Sequence, residues 1–561
     1  KSGSGMSVFS TLDSLPVAGL TAGQQAYITG SSKLYVSNGD GWYNSAVVNA
    51  TPTLTLSQSG TIALATDGST TVVIKLNATD SDNDPENLTY SIESGGDFFK
   101  MGTIVQDSAR QYTITPRSSD SASSLGNDGS STITFKASDG VNQATVQNTF
   151  TLSFVIDWSS ASLSETKLQP SDIANNDKFG YYNNDLSGDG LYMIGGSPRE
   201  SSSVGKVYIY FYNGSSWSEQ ASFANPDGDA TYFGSPTVLD GDGDVAVIGQ
   251  HAYSTYKGAA WVYTRSGTTW TQRTRLTASD GSDYDTFVGS DTNYQQPLSI
   301  SKDGAYIMIG AEAESTNASQ AGSVYVYTGS GASWTEQAII RGPDATANDK
   351  FGHSCHLNDD GTYAIIGATG ANGTNVGRAY IYTRSGSTWS KQATLNASDA
   401  ADNDQFGGSV KISGDGLYAV VGARYDDDNY DSSGSVYVFV RSGSSWSQQQ
   451  KITLGAGGRI YNYFSSTLDI NESGDLIVVG SGGDNTNSVG KARIYKRTGS
   501  TWALVKTIVA SDDADTDGAS STTGFASKVA ISGDGNVVAV SAYPATGSST
   551  RQGAIYVYNE S

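Results

Sequence analysis

The chain is poor in the side chains from which most catalytic and metal centres are built. Its 561 residues include one cysteine, three histidines and four methionines. The single thiol, Cys355, excludes an intrachain disulfide, so packing and hydrogen bonding alone must close the fold. So few histidines and thiols leave little from which to build a general base or a nucleophile. Cations are scarce as well. Thirty-three Lys and Arg stand against 56 Asp and Glu, a net charge of −23. Phosphate binding needs clustered cations, so DNA, RNA and anionic membranes are not expected partners. No run of 18 apolar residues occurs, so no helix is expected to insert in a membrane, and no signal peptide is visible. Long helical periodicities are missing too. Lys1 to Gly5, ahead of Met6, read either as a linker or as the end of a longer segment.

What the chain has in abundance is turn and strand chemistry. Sixty-six glycines, 33 tyrosines and many Ser, Thr, Asn and Asp favour short strands joined by tight turns. The length implies several domains. Three regions are expected: a small β module at 1–49, a β-sandwich at 50–156 and a repeat array at 157–561. In the first, Leu34–Val36 and Trp42-Tyr43 flank an Asn38-Gly39 turn, a hairpin signal. The piece is too small for a robust core of its own, so attachment to a partner chain or to the next domain is its expected role. In the second, alternating stretches such as Thr71–Leu76 and Ser131–Phe135 recur between polar turns, as in a sandwich.

The third region carries one phrase seven times. Its clearest copy runs Phe406-Gly407, Val410–Gly416, Tyr418–Ala423, Gly434–Phe439, Arg441–Gly443 and Trp446. The turn positions Asp189, Asp242, Asp303, Asp360, Asp415, Ser473 and Asp534 lie 53 to 61 residues apart. Each copy reads as four strands, which is a propeller blade. The last copy stops after its third strand at Tyr558, and residues 160–168 are expected to supply the fourth. Such closure removes an exposed sheet edge. Trp158 sits four residues too early for this register. The expected fold class is therefore all-β: a seven-bladed β-propeller preceded by a β-sandwich, which Ala78–Pro85, Leu88–Ile92 and Phe135–Gly140 make similar to an Ig/cadherin-like domain, and a small N-terminal β module.

Three resemblances accompany this reading. Phe179-Gly180, Phe233-Gly234, Phe351-Gly352 and Phe406-Gly407, with Gly-Ala at 310–311, 367–368 and 422–423, resemble FG-GAP-type propeller repeats, related in outline to the integrin α-chain propeller. Copies around Phe287, Phe464 and Phe525 are weaker. Ala78–Pro85 with Leu88–Ile92, and Phe135–Gly140, resemble the cadherin-like domains of bacterial and phage surface proteins, which usually act as spacers. Leu15–Leu20, Gly23–Ile28, Lys33–Val36 and Gly41–Tyr43 resemble a short module near the N-termini of phage structural and tail-fibre proteins.

No cofactor is firmly implied; calcium is the one ion the resemblances raise. In integrin-like repeats an Asp-rich loop binds it through oxygen ligands. Only Asp240, Asp242 and Asp244 offer three alternating carboxylates here, and Val247 and Ile248 supply no further ligand, so a plain hairpin turn is the favoured reading. The cadherin resemblance implies a second candidate at Asp80, Asp82, Asp84, Glu86 and Asp139, against a solvated acidic turn. A further acidic rhythm pairs Asp172, Asp280, Asp344 and Asp399 with Asp177, Asp285, Asp349 and Asp404; capping of turn N–H groups is expected there. His353, Cys355 and His356 diverge on a strand, which disfavours zinc and makes Cys355 a core residue. The Arg265–Trp270 and Arg384–Trp389 turns lack the Asp of a sialidase Asp-box, and no catalytic residue is assigned.

Binding is assigned instead to aromatic loops, with Tyr253, Tyr256, Tyr425 and Tyr430 as candidate ligand contacts. The expected function is that of a non-enzymatic virion surface or fibre protein, a phage appendage whose propeller recognises a host-surface glycan or protein. Other virion or filament subunits would bind through residues 1–49, and a homo-oligomer is compatible with this. A secreted bacterial adhesin or extracellular filament subunit is the alternative, and a propeller glycosidase or lyase the third.

Overall fold

The computed structural model describes residues 6–31, 33–45, 51–58, 61–63, 71–80, 88–94, 102–116, 129–152, 158–159, 161–181, 183–289, 296–428, 430–454, 463–481, 490–511, 524–542 and 552–560. The chain divides into two compact units, Lys1–Phe154 and Val155–Ser561. Among the described residues no helix is long and apolar enough to cross a membrane.

The first unit holds three four-stranded sheets. Ser7–Phe9, Gln25–Ile28, Lys33–Ser37 and Trp42–Ser45 form one. Asn38 makes its hairpin turn, its side-chain oxygen accepting the N–H groups of Asp40 and Gly41 at 2.9 Å. Leu15, Ala26 and Ile28 are its buried core, and Trp42 donates to Pro16 O at 2.8 Å. The other two sheets share one core. Ile74, Leu76, Tyr112 and Ile114 come from one, and Tyr90, Ile133, Phe135 and Phe150 from the other.

The second unit holds seven four-stranded antiparallel sheets among the described residues. Sheet 1 comprises Asn184–Leu186, Tyr192–Ser197, Lys206–Tyr212 and Trp217–Ala224. Sheet 2 comprises Phe233–Leu239, Val245–Gln250, Ala259–Ser266 and Thr269–Leu276. Sheet 3 comprises Leu298–Ile300, Tyr306–Ala311, Ser323–Ser330 and Ser333–Arg341. Sheet 4 comprises Phe351–Leu357, Tyr363–Ala368, Arg378–Ser385 and Thr388–Leu395. Sheet 5 comprises Ser409–Ile412, Tyr418–Ala423, Ser435–Ser442 and Ser445–Thr453. Sheet 6 comprises Thr467–Ile470, Leu476–Ser481, Lys491–Thr498 and Thr501–Ile508. Sheet 7 takes Lys528–Ile531, Val538–Ala542 and Ala554–Glu560 from the end of the chain and its outer strand, Leu163–Leu168, from far upstream. Leu163 pairs with Glu560 and Leu168 with Ile555.

Consecutive sheets pack face to face, because their strands are apolar on both sides. The first strand of each sheet touches that of the next, and sheet 7 touches sheet 1. Each of the seven interfaces has its own buried cluster; Leu168, Phe179, Tyr208, Ala539, Ile555 and Val557 belong to the one between sheets 7 and 1. Trp158 is fully buried between sheets 6 and 7, and its indole donates to Gly535 O at 2.9 Å. It is an anchor ahead of the outer strand, which is why it falls outside the register of the other tryptophans. Those open fourth strands: Trp270, Trp389, Trp446 and Trp502 each donate to a Gln on the outer strand of the preceding sheet, at 2.8 to 3.3 Å.

The Phe-Gly phrase is an inter-sheet latch. The Phe351 N–H donates to Ala321 O at 2.9 Å, Phe406 to Val376 O at 3.0 Å and Phe179 to Gln552 O at 2.8 Å. Its close approach explains the glycine of Gly-Ala. A Cβ on Gly367 would stand 2.0 Å from Gly407 O and 2.4 Å from the Ser354 hydroxyl. Gly367→Ala should therefore force sheets 4 and 5 apart and cost about 2–4 kcal/mol of unfolding free energy. Urea denaturation of the variant checks this; an unchanged midpoint would refute the latch.

Candidate functional site

Three places in the second unit collect chemistry. The first is the axis, where the seven first strands meet. Asp185, Lys302, His356, Asp359, Lys411, Asp469 and Glu472 line a cavity of about 110 Å³. Lys411 pairs with Asp469 at 3.0 Å, and Asp469 also accepts the Ile531 N–H at 3.0 Å. Asp185 accepts the Leu239 N–H at 3.0 Å, and burial pushes its carboxyl up to about 6. Burial and the nearby Lys411 charge pull Lys528 down to about 8. At one mouth Lys302 bonds Glu472 across the axis and lies 3.8 Å from Asp359. Apart from His356, none of these residues stood out in the sequence, because each is a single charge in or just after a short apolar strand.

The second place is the acidic turns. Asp240, Asp242 and Asp244 do converge, with one carboxylate oxygen from each within 4.8 Å of the others. Asp240 is buried, and its Oδ1 accepts the N–H groups of Asp244 and Val245 at 2.9 and 3.0 Å. The equivalent Asn471 does the same in sheet 6, and Asn358 accepts the Tyr363 N–H in sheet 4, which is turn capping. In the first unit Asp139 caps its hairpin by accepting the N–H groups of Val141 and Asn142 at 2.7 Å. Asp80 lies at the end of a strand; Asp82, Asp84 and Glu86 lie outside the described residues.

Between the sheets, Asp177, Asp285, Asp349 and Asp404 each accept a backbone N–H three residues upstream, at 2.5 to 2.8 Å. Their partners in the rhythm hold cations of the chain itself. Asp280 meets Arg341 at 2.6 Å, Asp344 meets Arg378 at 2.7 Å, and Asp172 meets Lys206. In sheet 5 the carboxylates of Asp399, Asp426 and Asp428 converge, with the Lys451 ammonium among them. Burial alone would lower Lys451; the three acids overcome it and raise its pKa. The Tyr437 hydroxyl completes the cluster, its one proton shared between Asp399 and Asp426, 2.8 and 2.7 Å away.

His353, Cys355 and His356 go three ways. His353 Nδ1 bonds Glu312 at 2.6 Å, Cys355 is buried in the cluster of sheets 3 and 4, and His356 faces the axis. The repeated Arg is a clamp: Arg265, Arg384, Arg441 and Arg497 each donate through Nε to a turn carbonyl at 2.7 to 2.9 Å. Each also lies over a tyrosine of the preceding sheet, at 3.9 to 4.5 Å from the ring centroid.

The third place is the loops between second and third strands. Tyr253 and Tyr425 are half-buried there. Arg275 covers Tyr253 at 4.5 Å, and Tyr425 meets Tyr463 edge-on at 5.5 Å. Tyr256 and Tyr430 are exposed. Two further aromatics join Tyr256. His251 stacks on Tyr232 at 4.7 Å, and Tyr284, from the connection into sheet 3, stacks on Tyr256 at 5.8 Å.

These features define an all-β, β-propeller-like repeat protein. The FG-GAP repeat model matches residues 270–327, 334–382 and 389–439, all within the second unit. A solved structure of U3-55K aligns with 70% of this chain and 98% of its own, at 10% identity and a TM-score of 0.45, too distant to carry an argument. No curated protein matches.

Asp240 yields a test. Burial, then the charges of Asp242 and Asp244, push its carboxyl from 3.8 up to about 8. The folded chain thus keeps a proton that the unfolded chain releases between about pH 4 and 8, and this contribution to stability falls as pH rises through that window. Asp240→Asn, the residue found at positions 358 and 471, should flatten the slope and add about 2 kcal/mol at pH 8. Urea unfolding between pH 5 and 8 measures it. A loss of stability, or a calcium-dependent rise in midpoint confined to wild type, would assign the three carboxylates to a metal instead.

Proposed function

We propose that the second unit is a closed seven-bladed propeller serving as a non-enzymatic recognition head on a virion appendage. The two-sheet domain of the first unit is then an Ig/cadherin-like spacer, and the small sheet of residues 6–45 is the attachment module, gripping other subunits. The observation that carries this reading is a division within each repeat. Latches, clamps and turn caps recur from sheet to sheet, whereas the loops between second and third strands keep one backbone frame and change their side chains. Constant scaffold with variable loops is the arrangement of a binding surface. Several copies on one particle would turn weak single contacts into firm attachment.

The N-terminal resemblance to phage fibre modules favours a virion over a secreted adhesin. Peptide mass spectrometry of purified particles tests the setting, and the full-length chain tests the activity. It should bind host cells saturably and, in excess, block particle attachment. Presence only in the secreted fraction of a bacterial culture would favour the adhesin; no binding to any cell would overturn recognition.

A further inference from the structure

The loop frame is built from two segments that run parallel, as the bridge between Gly377 and Phe406 shows. In sheets 2 and 3, the Tyr284 N–H donates to Thr255 O and the Thr286 N–H to Tyr256 O, both at 3.0 Å. One repeat later, Asn348 donates to Ser319 O at 2.8 Å and Lys350 to Gln320 O at 3.1 Å. In the next, Asn403 donates to Thr374 O at 2.8 Å and Gln405 to Asn375 O at 3.0 Å. Two positions in this frame have left-handed backbone. Their φ values are 52° and 68° at Gln320 and Asn348, 55° and 71° at Asn375 and Asn403, and 59° and 68° at Tyr256 and Tyr284.

Small polar residues suit such a position, and Asn most of all; a bulky ring there is an outlier. In sheets 4 and 5 the pair is Asn375 and Asn403, bonded side chain to side chain at 3.3 Å. In sheets 2 and 3 it is two tyrosines, 42% and 62% exposed, their rings within 14° of parallel. Burial does not compensate for that backbone choice. The rings are the outer rungs of a ladder, with His251 6.2 Å from Tyr256 and Tyr232 behind it. Lys257 and Asp283 flank the outer rung and offset each other at 3.6 Å, and the exposed Ser254 and Thr255 add hydroxyls.

We propose that Tyr256 and Tyr284 form a stacking platform for a pyranose ring of an uncharged glycan, an assignment that deepens the recognition reading above and rests on it. The open ring of Tyr284 offers a flat apolar face to the C–H face of a sugar, and Lys257, Asp283 and Thr255 offer bonds to its hydroxyls. Two isolated rings among polar groups are too small an apolar patch for a protein interface. The net charge of −23 disfavours acidic polysaccharides.

The neighbouring repeats supply the control. Tyr284→Asn, and Tyr256→Asn with Tyr284→Asn, install side chains this frame already carries, so the thermal midpoint should hold or rise. On an array of neutral and acidic glycans the wild type should bind neutral members. Tyr284→Asn should weaken that binding at least tenfold, and Tyr284→Phe should retain it. Binding of Tyr284→Asn equal to wild type, or binding of acidic glycans alone or of none, would overturn the platform. The same proteins on host cells separate the two proposals. Cell binding that survives Tyr284→Asn leaves recognition standing and removes the platform from it. Glycan binding without cell binding keeps the platform and removes the recognition role.

Discussion

Seven backbone hydrogen bonds between turns hold the repeat array in register. The turn that joins first to second strand in each sheet donates one N–H to the corresponding turn of the next. Asp189 donates to Gly241, Gly241 to Lys302, Lys302 to Asp359, Asp359 to Gly414, Gly414 to Glu472, Glu472 to Gly533 and Asp534 to Gly188, at 2.9 to 3.2 Å. The circuit returns to its start, so no turn on it lacks a neighbour. It also dictates which residues can stand there. A Cβ on Gly241 would lie 2.8 Å from Lys302 O, and one on Gly414 would meet the Asp359 carboxylate at 2.5 Å. Four turns on the circuit carry glycine, and the other three carry Lys302, Asp359 and Glu472, which meet across the axis. Lys302 offsets part of the charge of the two acids.

Outside this circuit three inter-sheet devices recur: the Phe latch and, in sheets 2, 4, 5 and 6, the indole-to-Gln bond and the Arg-on-Tyr clamp. They explain why a chain without disulfides can hold so many short strands together, since each interface combines a dry core with directional bonds at its rim. They also consume most of the aromatic and arginine side chains that a reader of the sequence would consider for binding. Tyr208, Tyr325 and Tyr437 are tied to carboxylates inside the array. Tyr253, Tyr256, Tyr425 and Tyr430 lie outside these devices, on the loops.

Much of this was legible in the sequence. In the clearest copy, the Tyr418–Ala423 stretch is a strand with those bounds, Gly434–Phe439 falls on the strand Ser435–Ser442, and Trp446 stands at the start of Ser445–Thr453. The supply of the last outer strand from near residue 165 was legible because Leu168–Asp172 matches Leu395–Asp399. The repeats around Phe287, Phe464 and Phe525 looked degenerate because the glycine after the Phe is replaced. Val288, Ser465 and Ala526 nevertheless adopt the same left-handed backbone, at φ 70°, 77° and 62°, and all three Phe rings are fully buried. The geometry outlasts the motif because neighbours on both sides impose it. The Tyr256–Tyr284 pair was half-visible. Tyr256 was singled out, but Tyr284 lies 28 residues away in the next sheet's approach, and the signal was a tyrosine in a column of asparagines. The axial charges were illegible, since no local pattern says that seven separate strands point at one line.

Trp158 and the strand that follows it bear on how the molecule would carry tension. Strain entering along the backbone from the first unit reaches the array at the outer strand of sheet 7, whose free end would otherwise peel from Glu560 one rung at a time. Before it can do so, the pull must extract an indole with no solvent-exposed surface, bonded to Gly535 O, from between two sheets. The tryptophan therefore works as a strain relief, like the knot tied in a cable behind its plug.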